Sequence, residues 1–165
     1  MRVQHQGQTY TLRSAVKEDA PALRKLLNTA YKELADLGLN YTATYQDEAE
    51  TRKQIENYRV FVLFAEDELI ATINAREENW FTNRKSLYVG KFAVQPHLKG
   101  KGLGALLMKF IEDTAKTENY ESVQLDTAKP AEHLVNLYQR AGYKVIGETH
   151  FEGKTYDSWI FEKVL

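Results

Sequence analysis

Two spacings of hydrophobic residues divide the chain into strands and helices. Short runs of β-branched and aromatic residues predict strands, and apolar residues three and four positions apart predict amphipathic helices. Strands are expected at 10–15, 59–64, 69–76, 87–94, 122–126, 143–151 and 154–164. Helices are expected at 19–38, 46–57, 103–115 and 131–141. The order β-α-α-β-β-β-α-β-α-β-β predicts an α/β sandwich.

Composition narrows the class of protein further. The chain has 165 residues, of which 43% are hydrophobic and 27% charged, as in ordinary globular domains. Glycine and proline are sparse and no repeat or linker is visible, so residues 1–165 are expected to form a single domain. A net charge of −1 argues against nucleic-acid and membrane partners. A polar N-terminus and the absence of a long apolar run favour the cytoplasm.

The segment 91–107, KFAVQPHLKGKGLGALL, carries the strongest chemical signal. It combines a strand, a proline turn, three alternating glycines and the apolar stripe of a helix. Gly100, Gly102 and Gly104 allow the backbone to curl and present N–H groups at the start of that helix. The helix dipole adds positive potential there, so the loop is predicted to bind a phosphate or pyrophosphate.

Two familiar phosphate loops fit the spacing poorly. The ATPase loop needs a lysine and a hydroxyl residue after its last glycine, whereas Ala105 and Leu106 follow Gly104. The dinucleotide fingerprint G-x-G-x-x-G/A is formally matched by 100–105, with Asp126 at a suitable distance. Five residues separate that loop from its strand, however, and only 39 residues follow Asp126. These are too few to complete a dinucleotide-binding fold.

The residues around the loop resemble the acyl-CoA loop of the GNAT superfamily of N-acetyltransferases. The matching pattern is F-A-V-x-P-x-x-K-G-K-G-L-G at 92–104, followed by LDTA at 125–128 and LYQRAGY at 137–143. His97 and Ala131 depart from the family's usual residues. The resemblance implies a mixed central sheet of about seven strands flanked by about four helices. Members of the family often pair, and the closing hairpin could serve a homodimer, although no interface is visible in the sequence.

The same resemblance implies acetyl-CoA as cosubstrate, with no metal. It assigns the pantetheine arm to the backbone of the strand end and the pyrophosphate to the loop, with two lysines adding charge. The expected cofactor-binding residues are Phe92, Ala93, Val94, Lys99, Gly100, Lys101, Gly102, Leu103, Gly104 and Ala105. The four histidines show no metal-ligand spacing.

Transfer of an acetyl group to an amine needs a base for the amine proton, a proton donor for the leaving thiolate and an N–H for the developing oxyanion. By resemblance, Tyr138 is the proton donor and the N–H of Val94 the oxyanion donor. Asp126 is the candidate base, and Glu77 and Glu78 are its rivals. Packing of Tyr138 and turn capping by Asp126 are the structural alternatives.

The acceptor is expected to be a primary amine of a small molecule or peptide. Aromatic residues are expected to line its pocket, and nearby acidic residues favour a cationic amine. The aromatic residues are Tyr31, Tyr41, Tyr45, Trp80 and Phe81, and the acidic ones are Glu33, Asp36, Glu77 and Glu78. With no cysteine in the chain, the acetyl group is expected to pass directly to the amine. The alternative is a non-catalytic acyl-CoA-binding module of the same fold.

Overall fold

An eight-stranded mixed sheet forms the centre of the computed structural model, which describes all residues, Met1–Leu165. The strands are β1 (Arg2–His5), β2 (Gln8–Ser14), β3 (Arg59–Ala65), β4 (Glu68–Glu77), β5 (Ser86–Val94), β6 (Ser122–Ala128), β7 (Lys144–Thr149) and β8 (Ser158–Val164). The helices are α1 (Ala20–Ala30), α2 (Lys32–Asp36), α3 (Thr42–Tyr45), α4 (Glu48–Asn57), α5 (Leu103–Thr117) and α6 (Glu132–Arg140). None of these helices combines the length and apolar character that a membrane span requires.

The α/β class and the mixed sheet predicted from the sequence are confirmed, with one strand and two short helices more than expected. The extra strand is β1, which pairs only with β2 through a tight turn. The predicted helix at 19–38 is divided at Tyr31 into α1 and α2. The second extra helix is α3, a single turn before α4.

Alternation along the strands builds two hydrophobic cores, one on each face of the sheet. In β3, Val60 and Val62 pack with α1, whereas Phe61 and Leu63 pack with α5. Side chains of a strand alternate between the two faces, so a continuous apolar run fits a strand covered on both sides. Both faces of the central strands are therefore buried beneath helices.

The sheet opens between its two central strands. Its order is β1-β2-β3-β4-β5-β6-β8-β7, and only β5 and β6 run parallel. They pair over just four positions, from Ser86 with Ser122 to Val89 with Leu125. The register between β4 and β5 then shifts, with Lys91 in a left-handed conformation at φ 45°. This bulge turns the end of β5 away from β6 and leaves a gap beside residues 92–94.

Candidate active site

A cavity of about 530 Å³ occupies the gap between β5 and β6. Its lining comes from the end of β5, the glycine loop, the first turns of α5, the end of β6, α6 and the α1–α2 region. Fifteen of the 23 lining residues are hydrophobic, with polar groups at a few positions. This size and character are typical of a site for a small molecule or cofactor.

The glycine loop closes one end of the cavity with the N-terminus of α5. Gly102 precedes the helix at φ 79°, a left-handed conformation that favours glycine. The N–H groups of Leu103, Gly104 and Ala105 open the helix and have no partner within it. A Cβ at Gly104 would lie 3.0 Å from the Phe92 ring, so glycine permits the close contact between helix and strand. Free N–H groups at a helix start are the feature that backbone anion sites use.

The structure brings nine of the ten expected cofactor-binding residues to the cavity wall. The exception is Lys101, whose exposed side chain lies outside the lining. Lys99 lines the cavity, but its ammonium group forms an ion pair with Glu33 at 3.1 Å. His133 on α6 lies 3.3 Å from the other oxygen of the same carboxylate. Glu33 thus links the loop to α6 at the cavity wall.

Val94 also lines the cavity, and the pairing of β5 gives the direction of its N–H group. The next N–H along the chain, that of Gln95, donates to Ile70 O on the β4 side at 2.8 Å. Donors alternate between the two sides of an extended strand, so the Val94 N–H faces the gap. This is the direction that an oxyanion donor needs.

Asp126 lies on β6 at the far side of the gap and accepts a hydrogen bond from the Tyr88 hydroxyl. Tyr88 pairs with Gln124, so Asp126 is its diagonal neighbour on the same face of the sheet. Burial raises the pKa of Asp126 above its ordinary value, while the Tyr88 hydrogen bond and the charge of Arg76 partly oppose that rise. A carboxylate with a raised pKa is a stronger base than an exposed one.

Tyr138 projects from α6 into the same cavity, and its hydroxyl makes no hydrogen bond within the protein. Its ring packs edge-on against Tyr143 at 6.3 Å and lies 6.0 Å from the Phe161 ring. Burial, together with Tyr41 and Asp126, raises the pKa of Tyr138 above its usual value. The phenol therefore keeps its proton at neutral pH and is available as a donor.

Two further tyrosines from the α1–α4 side line the cavity. The Tyr31 hydroxyl donates to the carbonyl of Phe92 at 3.1 Å. The Tyr41 hydroxyl lies 3.0 Å from Thr127 Oγ1 and accepts from the Ala128 N–H at 2.8 Å. Burial raises the pKa of both phenols, which thus stay neutral. They hold α1 and α3 against the two separated strands.

The rival bases are engaged elsewhere. Glu77 accepts from the Tyr120 hydroxyl at 3.1 Å, and Glu78 binds both Arg76 and the indole N–H of Trp80. Neither carboxylate lines the cavity. The geometry favours Asp126 over both as the acid–base group.

Two residues of the site escaped the sequence analysis. In the sequence, Tyr88 is simply one residue of a predicted buried strand. The parallel register of β5 and β6 is what places it beside Asp126. His5 Nε2 lies 2.7 Å from the carbonyl oxygen of Lys101, 96 residues away. A carbonyl only accepts, so the Nε2 of this histidine carries the proton. No local pattern signals either contact.

A family model described as Acetyltransferase (GNAT) family matches residues 21–143, about three quarters of the chain. The chain belongs to the GNAT acetyltransferase family. Among curated proteins, the S-alkylcysteine N-acetyltransferase of Bacillus subtilis is 30% identical over 86% of this chain and 82% of its own. The S-(2-succino)cysteine N-acetyltransferase of the same organism is 30% identical over 82% of this chain and 85% of its own.

Solved GNAT structures share the fold. A GNAT acetyltransferase from Listeria monocytogenes aligns over 100% of both chains with a TM-score of 0.76 and 18% identity. A Salmonella typhimurium protein whose structure contains its cofactor acetyl-CoA aligns over 94% of both chains with a TM-score of 0.72 and 19% identity. The protein is thus an N-acetyltransferase of the GNAT family, which uses acetyl-CoA. The cavity is mostly apolar and is lined by the glycine loop and the first residues of α5.

Proposed function

We propose that this GNAT protein transfers the acetyl group of acetyl-CoA directly to a primary amine of a small molecule or peptide. One observation carries the proposal. Asp126, Tyr138 and the strand end at Val94 line the same cavity as the glycine loop. A base, a proton donor, a backbone N–H and an anion site therefore share one continuous space.

The cofactor supplies an acetyl thioester, and the chain's residues handle charge and protons around it. The first turn of α5 binds the pyrophosphate, and Phe92, Ala93 and Val94 present backbone to the pantetheine arm. Lys99 adds positive charge at the loop, whereas Lys101 contributes its backbone carbonyl to the contact with His5. The N–H of Val94 stabilises the negative charge that develops on the acetyl oxygen.

Proton transfer is assigned to two side chains. An alkylamine has a pKa near 10.4 and is a nucleophile only after losing a proton, which Asp126 accepts. Tyr138 donates its proton as the C–S bond breaks and the sulfur leaves. Its unbonded hydroxyl and raised pKa support this role. No cysteine is present to form an acyl-enzyme, so the amine attacks the thioester itself.

The relatives suggest where a search for the acceptor should start. Two of them are named for S-alkylcysteine and S-(2-succino)cysteine, and a third, from Bacillus subtilis subsp. natto and 27% identical, is named a probable spermine N(1)-acetyltransferase. Amino acids with a substituted cysteine side chain and polyamines are therefore the first two classes to test.

Thiol release from acetyl-CoA, followed across a panel of amino acids, polyamines, aminoglycosides, arylalkylamines and short peptides, tests the proposal. Turnover with at least one class, and its loss in the Tyr138→Phe variant, is the expected result. Binding of CoA without turnover on any amine would instead favour the non-catalytic module.

A further inference from the structure

Two partly buried lysines on the α1–α4 side of the sheet lack a carboxylate partner. Lys91 Nζ donates to Gln46 Oε1 at 2.7 Å. Lys154 Nζ donates to Asn40 O, Thr42 Oγ1 and the Tyr45 hydroxyl at 3.0, 2.9 and 3.3 Å. The lysine ion pairs of this protein are formed at other positions: Lys17, Lys32, Lys99, Lys109, Lys129 and Lys163. Only neutral oxygens therefore solvate these two ammonium groups.

The positive charge of Lys154 affects the pKa of Lys91. The pKa of Lys91 is lowered to about 8, chiefly by burial; the charge of Glu50 opposes this shift, and the charges of Lys154 and Arg76 add to it. Glu50 is occupied in capping α4, where its carboxylate accepts from the Asp47 N–H at 3.1 Å. Arg76 is already paired with Glu78. Lys91 and Lys154, called the lysine pair below, are thus two cations beside the α3 region whose hydrogen bonds all go to neutral oxygens.

The lysine pair is connected to the cavity between β5 and β6 through neighbouring residues. Lys91 directly precedes Phe92, which lines the cavity. On the other side, Lys154 lies two residues before Tyr156, whose ring stacks on Tyr41 at 4.9 Å. The Tyr41 hydroxyl in turn contacts Thr127, the neighbour of Asp126.

Tyr88, which contacts Asp126, alternates along β5 with Leu87 and Val89 of the α5 side, so Asp126 faces the α1–α4 side, as the two lysines do. Neither lysine lines the cavity itself.

The carboxylates expected to attract a cationic acceptor are engaged in other contacts. Glu33 is bound to Lys99, Asp36 to Lys32, and Glu78 to Arg76. Glu77 lies against Tyr120. Lys91 and Lys154 add positive charge on the α1–α4 side, which disfavours a polycation such as spermine at this point.

We propose that Lys91 and Lys154 bind the carboxylate of the acceptor, which makes the acceptor an α-amino acid or a similar small zwitterion. The inference rests on the proposed function and names the substrate class of that site. The amine of such an acceptor lies toward Asp126, and its carboxylate toward the lysine pair. Two charge-assisted hydrogen bonds replace the neutral oxygens that now surround the ammonium groups.

The test uses matched pairs of acceptors that differ only in a carboxylate: S-methyl-L-cysteine with 2-(methylthio)ethylamine, and phenylalanine with phenethylamine. The intact enzyme should acetylate the better amino acid with a kcat/KM ~10-fold or more above that of its decarboxylated partner. Lys91→Met and Lys154→Met should each lower that value ~10- to 100-fold for the amino acid and leave the amine nearly unchanged. Lys53→Met, at an exposed position of α4, is the matched control.

A binding measurement separates failure of this inference from failure of the proposed function. Calorimetric titration of the CoA-saturated protein should detect the amino acid and not the amine, and Lys154→Met should abolish the signal. Equal turnover of both members of every pair would overturn the carboxylate site and leave the enzyme intact. Silence in both turnover and calorimetry would overturn both. If Lys91→Met does not fold, Lys91→Arg should retain amino-acid binding.

Discussion

His5 donates a hydrogen bond to the carbonyl oxygen of Lys101, so the tip of the first hairpin holds the glycine loop from outside the cavity. The contact distance is 2.7 Å. It joins a strand that pairs only with β2 to the loop proposed to bind pyrophosphate. The first strand therefore contributes to the shape of the cofactor site without lining it.

Replacing His5 with alanine should weaken CoA binding without altering the chemical step. Loss of one hydrogen bond that organises the loop should raise the Kd for CoA ~2- to 10-fold. The value of kcat at saturating acetyl-CoA should stay the same. Calorimetry with CoA measures the first effect, and Gln4→Ala on the same strand is the control. An unchanged Kd would show that the loop holds its shape unaided.

Gly102→Val should abolish CoA binding in a protein that still folds. A branched residue at φ 79° is strained, and a Cβ there would lie 3.1 Å from the His5 ring. The helix start that presents the N–H groups would have to move. Circular dichroism checks the fold, and calorimetry checks the binding. A folded variant that still binds CoA would place the pyrophosphate elsewhere.

Tyr138→Phe should lower kcat by ~10²- to 10⁴-fold with little change in CoA affinity. The ring remains packed against Tyr143 and Phe161, so only the proton donor is lost. Steady-state kinetics with the best acceptor measures the effect. Tyr120→Phe removes a hydroxyl that contacts Glu77 outside the cavity and serves as the control. Equal kcat in the two variants would show that Tyr138 serves packing and not proton donation.

Tyr88→Phe should move the acidic limb of the rate profile to higher pH. The Tyr88 hydrogen bond stabilises ionised Asp126 and so lowers its pKa, which burial has raised. Without that hydrogen bond, the pKa of Asp126 rises further and the base form appears only at higher pH. The dependence of kcat/KM on pH measures the shift. A limb that stays in place would indicate a different base.

Asp126→Asn should lose activity while gaining stability at neutral pH. The folded-state pKa of Asp126 is raised, so its contribution to stability is present at low pH and is lost as pH rises through the raised value. The asparagine side chain does not ionise and so avoids this loss. Each kcal/mol gained in the free energy of unfolding raises Tm by ~2–4 °C. The difference in Tm between variant and parent should grow from pH ~3, below the ordinary aspartate pKa, to pH ~7. Asp67→Asn, in an exposed turn, is the control, and a variant less stable at both pH values would contradict the argument.

The sequence was sufficient for the elements whose pattern is long and regular. The stripe of α5 and the apolar run of β5 fall where they were predicted, because both pack against continuous cores. Strand β1 was missed, since four mostly exposed residues that pair on one side carry no hydrophobic pattern. The division at Tyr31 also has no local signal, because it serves a contact with Phe92 61 positions away.

In the candidate site, too, some features could be predicted from the sequence and others could not. Backbone features follow from local sequence, so the glycine loop predicted the anion site at the start of α5. Electrostatic environment depends on pairing across the fold. Glu33 and Glu78 were expected to attract a cationic acceptor. In the fold, Glu33 is paired with Lys99 of the glycine loop and Glu78 with Arg76 of β4. Lys91 and Lys154 come together only through the region around α3.

The four residue pairs between β5 and β6 are the only strand pairing that joins the two halves of the sheet. Acetyl-CoA bound at the proposed site would contact both halves and so stabilise the folded chain over the unfolded one. A ligand at a hundredfold excess over its Kd adds about 2.7 kcal/mol to the free energy of unfolding. Resistance of the folded protein to proteolysis is therefore expected to rise with the concentration of the acetyl donor.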